Sequence, residues 1–269
     1  NGEFALNIEM QEYGGFEGNA QTLRIISRLA HKVLQEDAPC PIADGDDLRL
    51  GLDLTYRSMA SVLKYDHEIP VKTDEKPVKG YYAADAPLVN LIKENVSDAA
   101  PEGGFKVLEC SIMDVADDIA YSTYDLEDAF KNGFLSPIGI LSSPEAILEK
   151  AAEELPGMEA QDLLAELLDV LPDLVGENDE LNDYEDEEQR TRAIAATAYD
   201  TSRLHCSNGY VRTKFTSGLI KHFLEGVEVE VNEECPALSR VRLQPDIKRQ
   251  VDCLKHYTFA AVTQSPALR

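Results

Sequence analysis

Between residues 105 and 131 the apolar side chains Leu108, Ile112, Val115, Ile119, Leu126 and Phe130 step by three, four or seven positions. Residues at those spacings fall along one side of an α-helix, because each residue turns the chain by about 100°. A stripe of some seven turns must be buried against other elements, so it predicts one long helix inside a larger body.

The same period recurs along the chain. From Leu23 to Leu34, the apolar residues Leu23, Ile26, Leu29, Ala30 and Val33 share a face, with Arg24, Arg28 and Lys32 on another. Helices are also expected over 52–63, 160–171, 193–204, 213–224 and 246–262. One more starts near Ser142, where Ser142 and Glu145 have capping-box spacing and Pro144 sits in the first turn. The segment 66–80, with its prolines and lysines, reads as a loop. Only Val227 to Val231 alternates with period two, and with Val241 to Leu243 it predicts a single small hairpin. The expected fold is all-α with one β-hairpin, in one domain over 1–269 built on one core.

Charge narrows the partners. The chain carries 50 acidic and 25 basic side chains, a net charge of -25. Such a field repels phosphate backbones and anionic lipid surfaces, so neither nucleic acid nor membrane is an expected partner. Any anionic ligand must then be held by a local basic cluster. Residues 176–188 are dense in Asp and Glu with little to bury, and are expected to form a solvated or mobile loop; they lack the register of a calcium loop. No apolar run approaches the roughly 18 residues of a membrane span. The five cysteines, Cys40, Cys110, Cys206, Cys235 and Cys253, include no C-x-x-C pair, which suggests a reduced, cytoplasmic setting. Opening on Asn1-Gly2-Glu3 and ending on Leu268-Arg269, the sequence is expected to be cut at both ends from a longer protein.

Residues able to carry chemistry concentrate on the long helix. Asp117, Tyr121 and Asp125 lie one turn apart on one face, roughly opposite the apolar stripe. Pattern alone favours a solvated acidic face, since helices commonly turn carboxylates outward. Elsewhere, Gly14-Gly15-Phe16-Glu17-Gly18-Asn19 is rich in turn formers, Lys64-Tyr65 pairs a cation with a phenol, and Arg212 and Lys214 stand near an expected helix start that could meet phosphate. Singly these have bland readings: Glu3 suits the first turn of a helix, and Lys64 suits a surface position beside a half-buried Tyr65. The five histidines show no metal-ligand spacing, and no Walker or Rossmann glycine loop is present.

Together, Asp117-Asp118-Ile119-Ala120-Tyr121 and Phe16-Glu17-Gly18-Asn19-Ala20-Gln21 resemble the HD-superfamily deoxynucleoside triphosphate triphosphohydrolases, the group that includes bacterial dGTPases. The resemblance covers nearly the whole chain. It implies an HD-type helical domain that hydrolyses a dNTP, dGTP or a related one, to the deoxynucleoside and inorganic tripolyphosphate. It implies a divalent metal (Mg, Mn, Fe, Co or Zn), with Asp117 as the last member of an H…HD…D ligand set whose other members this sequence lacks. By the same resemblance Glu3 assists proton transfer, Lys64, Tyr65, Arg212 and Lys214 hold phosphates, Tyr121 and Asp125 orient the sugar, and Asn19 belongs to the nucleotide-binding set. A homo-oligomer, hexamer or tetramer, is implied as well. Without the missing ligands, the 269 residues alone are expected to be inactive. Two other readings compete: a non-catalytic nucleotide sensor whose dNTP binding controls assembly, and a helical interaction protein that docks a basic partner through its acidic loop.

Overall fold

The computed structural model describes residues 2–30, 33–35, 40–70, 78–97, 104–171 and 186–263. The fold is mainly helical, with eleven α-helices among the described residues and strands of two to four residues. The chain divides into two compact units, Asn1–Met113 with Val229–Val241, and Asp114–Glu228 with Arg242–Arg269. Each has its own buried cluster, where one core was expected.

In the first unit, α1 (Gly2–Glu9) and a short 3-10 turn lead to α2 (Gly18–Arg24), which continues as a π-helical turn over Ile25–Leu29. Four short strands follow, β1 (Val33–Leu34), β2 (Ile42–Ala43), β3 (Asp46–Asp47) and β4 (Arg49–Gly51), then α3 (Tyr56–Ala60) and α4 (Ala86–Val96). Strand β1 pairs antiparallel with β4, and β2 with β3. The core joins Leu23, Met59, Leu63, Val89, Ile92 and Phe105 to Cys110 at the start of α5 (Leu108–Lys131).

The second unit holds the rest of α5, then α6 (Pro137–Leu141), α7 (Glu145–Ala152), α8 (Ala160–Val170), α9 (Glu187–Ser207), α10 (Gly209–Glu225) and α11 (Pro245–Thr263). Its core packs Ile119, Leu126 and Phe130 of α5 with Leu163 and Leu167 of α8, Phe215 and Phe223 of α10, and Leu254 and Tyr257 of α11. Strands β5 (Val227–Glu230) and β6 (Arg240–Leu243) form the hairpin expected from the alternating segment.

Several expectations need correction. The helix expected over 23–34 begins at Gly18, where the buried Glu17 caps it by accepting from Ala20 N at 2.8 Å. It ends by Leu29, because Leu52 N just beyond β4 donates to Ile26 O and leaves Ala30 N to bond Ile25 O, five residues back. Val33 and Leu34 are strand. Gly51 makes that approach possible: its φ is +59°, and an added Cβ would stand 2.2 Å from Ile26 O. The helix expected over 52–63 shrinks to Tyr56–Ala60, capped by Thr55. Ser142 and Glu145 form no capping box. Ser142 Oγ instead donates to Ile138 O, closing α6, a helix missed at the sequence level along with α4 and two of the three strand pairs among the described residues. In α5 the stripe drifts: Ile119, Leu126 and Phe130 are buried as expected, but Ile112 is exposed, while Cys110, and Val107 just before the helix, are buried. The N-terminal part of α5 belongs to the first core and the rest to the second, and no single straight stripe serves both. Most of the acidic stretch 176–188 lies outside the described residues, although Glu187 and Glu188 open α9.

Candidate functional site

On α5, Asp117, Tyr121 and Asp125 share one face as the spacing requires. Asp117 is half-buried, while Tyr121 and Asp125 are exposed. The neighbouring carboxylate, Asp118, is taken up by α11: Lys255 Nζ lies 3.0 Å from Asp118 Oδ1 and Lys248 Nζ 3.5 Å from Oδ2. Lys248 also pairs with Asp252 one turn along, and these partners hold its ammonium above the ordinary lysine value against the pull of burial. Lys255 therefore brings positive charge to the acidic side of α5 in a chain of net charge -25. Nothing in the sequence marked it, because the pairing joins residues 137 apart.

Asp125 lines a cleft of about 320 Å³ formed with α11. Partial burial, then the nearby Asp128, hold its carboxyl above the ordinary carboxylate value, against the attraction of Lys255.

Arg212 stands near a helix start, as expected. It sits at the fourth residue of α10, whose cap is Asn208, with Oδ1 accepting from Tyr210 N and Val211 N. The Arg212 guanidinium turns back to the end of α9, donating to His205 O at 3.1 Å and Cys206 O at 2.8 Å. It thereby satisfies carbonyls that a helix end leaves open. Lys214 is exposed. His205 is a core residue, its Nδ1 2.9 Å from Thr201 O and its ring edge-on to Phe215.

In the first unit, Glu3 and Asn19 come together at the start of α2. Glu3 Oε1 accepts from Gly18 N at 2.8 Å, and Asn19 Nδ2 donates to Glu17 Oε1 at 2.6 Å. The glycine helps here, since a Cβ on Gly18 would meet Glu3 Oε1 at 3.3 Å. A carboxylate facing the amides of a helix start is favoured electrostatically, so Glu3 has structural work whatever else it does. Lys64 and Tyr65 are neighbours of Lys79, whose Nζ donates to the Tyr65 hydroxyl at 3.1 Å. Both lysines stand over the Tyr65 ring, at 6.0 and 5.2 Å from its centre.

A third cluster escaped the sequence reading. Arg24, Arg28 and Arg49 line one open cavity of about 750 Å³ with Asp46, Asp47 and Asp85. Arg24 pairs with the buried Asp85 at 2.9 Å and stacks on Tyr82 at 4.3 Å. Arg49 grips Asp47 with two hydrogen bonds of 2.8 Å, and these bring that carboxyl down to about 2. The acidic and basic lining residues balance, so the cluster reads as an internal ion-pair network holding β3 and β4 to α2. Periodicity had shown only that Arg24 and Arg28 share a face.

No family model matches the chain. Curated relatives do. The chain is 39% identical to the deoxyguanosinetriphosphate triphosphohydrolase-like protein 2 of Mesorhizobium japonicum, over 100% of this chain and 60% of the relative. It is 34% identical to the deoxyguanosinetriphosphate triphosphohydrolase-like protein of Aliivibrio fischeri, over 50% of this chain and 35% of that one. The protein of the same name from Streptomyces coelicolor is 35% identical over 54% of this chain and 31% of its own length. The chain thus spans less than two thirds of each relative.

Proposed function

Because the chain belongs to the deoxyguanosinetriphosphate triphosphohydrolase-like family, we propose that the whole protein hydrolyses a deoxynucleoside triphosphate, dGTP first among them, to the deoxynucleoside and inorganic tripolyphosphate. The observation that supports this most is the shared face of Asp117, Tyr121 and Asp125 on α5, with Asp125 at a cleft of small-molecule size. In the proposed reaction water attacks the α-phosphorus, the bond to the 5′ oxygen breaks, and that oxygen leaves with a proton. Asp125 accepts from a sugar hydroxyl, Tyr121 lends a flat surface and a phenol, and Lys64, Tyr65 and Lys214 bear on the phosphates. Arg212 joins them only if its guanidinium leaves the end of α9. Glu3 is the proposed proton acceptor, a task it would share with capping α2.

Among the described residues, no three His, Cys, Asp or Glu side chains converge as a metal-ligand set. These residues alone do not fit the divalent ion implied by the resemblance, whose candidate ligand here is Asp117. The homo-oligomer belongs to the same proposal.

The test is product analysis. The whole protein, supplied with a divalent metal and each of the four dNTPs, is expected to release tripolyphosphate in equimolar amount with deoxynucleoside, read by ion chromatography. Release of orthophosphate or pyrophosphate, or binding without turnover, would overturn the proposal.

A further inference from the structure

Asp118 on α5 holds more positive charge than one carboxylate needs. Lys255 Nζ lies 3.0 Å from its Oδ1 and Lys248 Nζ 3.5 Å from its Oδ2. Lys248 is shared with Asp252, 2.5 Å away, whereas Lys255 has Asp118 as its one ion-pair partner among the described residues. At about 100° per residue, Asp125 stands two turns beyond Asp118 and almost in line with it. One turn beyond Lys255 on α11, Thr258 and Phe259 line the cleft together with Asp125. Lys255 is thus set between Asp118 and that cleft, beside the face that carries Asp117, Tyr121 and Asp125.

This placement lets Lys255 change partners. Its side chain is 38% exposed and that of Asp118 27%, so water screens the pair and opening it costs little. Lysine carries its charge at the end of a long, flexible stem. When Lys255 leaves, Lys248 remains on Asp118, so no half-buried carboxylate is stranded. Arg212 lacks this freedom, since two carbonyls at the end of α9 hold its guanidinium. We infer that Lys255 is a substrate-binding residue whose ammonium rests on Asp118 in the free protein and passes to a phosphate oxygen of the bound nucleotide. The inference rests on the proposed nucleotide reading and deepens it, because it sets the phosphates at the Asp118 end of the face and the sugar at Asp125. The same ammonium offsets the repulsion that Asp118, Asp125 and Asp128 exert on a triphosphate.

The experiment uses the whole protein and the two halves of the proposed substrate, inorganic tripolyphosphate and 2′-deoxyguanosine, each titrated by calorimetry. Lys255→Met keeps the length of the side chain and removes its charge. It is expected to weaken tripolyphosphate binding roughly 10-fold, the scale of one hydrogen bond to a charged group, and to leave deoxyguanosine binding within about twofold. Lys255→Arg should restore most of the loss. Lys221→Met removes the same charge from an exposed site on α10 and should change neither ligand. Asp118→Asn takes away the resting partner, so it should tighten tripolyphosphate binding in the wild-type background and not in Lys255→Met. Unchanged melting temperatures check folding, and Lys255→Gln repeats the test should Lys255→Met melt lower. Equal losses in Lys255→Met and Lys221→Met, or an equal gain from Asp118→Asn in both backgrounds, would overturn the inference. If the wild type hydrolyses dNTPs but Lys255→Met leaves tripolyphosphate binding and KM within about twofold, the role of Lys255 falls and the proposed function stands. If the wild type hydrolyses nothing yet binds tripolyphosphate through Lys255, the phosphate contact stands and the hydrolase reading falls.

Discussion

Asp47 shows what a single side chain contributes. Its carboxylate takes two hydrogen bonds from Arg49 and faces Arg28, which holds it ionised down to about 2 against an ordinary value of 3.8. The folded value is the lower one, so the contribution is complete above about pH 4 and is lost as the pH falls through about 2. A shift of this size corresponds to about 1 to 2 kcal/mol once solvent screening of a side chain 26% exposed is allowed for. Asp47→Asn is therefore expected to flatten the fall of melting temperature between pH 4 and pH 2, and an unchanged slope would contradict this. The Arg49 part of this is local in the chain, two residues along, but the Arg28 part was not legible, because Asp47 meets Arg28 only when β3 and β4 fold back toward α2. Glu3 and Arg212 teach the complementary lesson. Their types suit nucleotide chemistry, yet each has a backbone partner at a helix end, and a residue list cannot reveal such competition.

Among the elements, α5, α8 and α11 were readable because each is long enough for a 3.6-residue period to repeat, and the hairpin β5–β6 because Val227 to Val231 alternate. Helix α4 was missed although Val89 and Ile92 are buried at helical spacing, since two buried positions in a helix of 11 residues define no stripe. Strands β1 to β4 are two or three residues long, too short to show a period of two. The break between α9 and α10 had a signal in Asn208, which the sequence reading passed over. Its side chain accepts from Tyr210 N and Val211 N, so Asn208→Ala is expected to cost about 1 kcal/mol in denaturant unfolding. A change below about 0.3 kcal/mol would show that Arg212 and the helix contacts hold this junction without the cap.

For the whole molecule, the helical class was legible and the division into two units was not, because α5 carries core residues of both and its period runs on without a break. The face carrying Asp117, Tyr121 and Asp125 was legible as geometry, while Lys255, Thr258 and Phe259 became visible only when α11 lay along it. With a net charge of -25, a triphosphate needs nearby cations to approach at all, and Lys255 beside Asp118 is one supplied by the fold. The central claim is that this face of α5 holds nucleotide, and the Asp125→Ala variant of the whole protein tests it most directly. Removing an acceptor for the sugar should cost about 1 to 3 kcal/mol, read as a roughly 5- to 150-fold loss of kcat/KM for dGTP hydrolysis, with the melting temperature unchanged. A kcat/KM within twofold of wild type would show a merely solvated face and contradict the account.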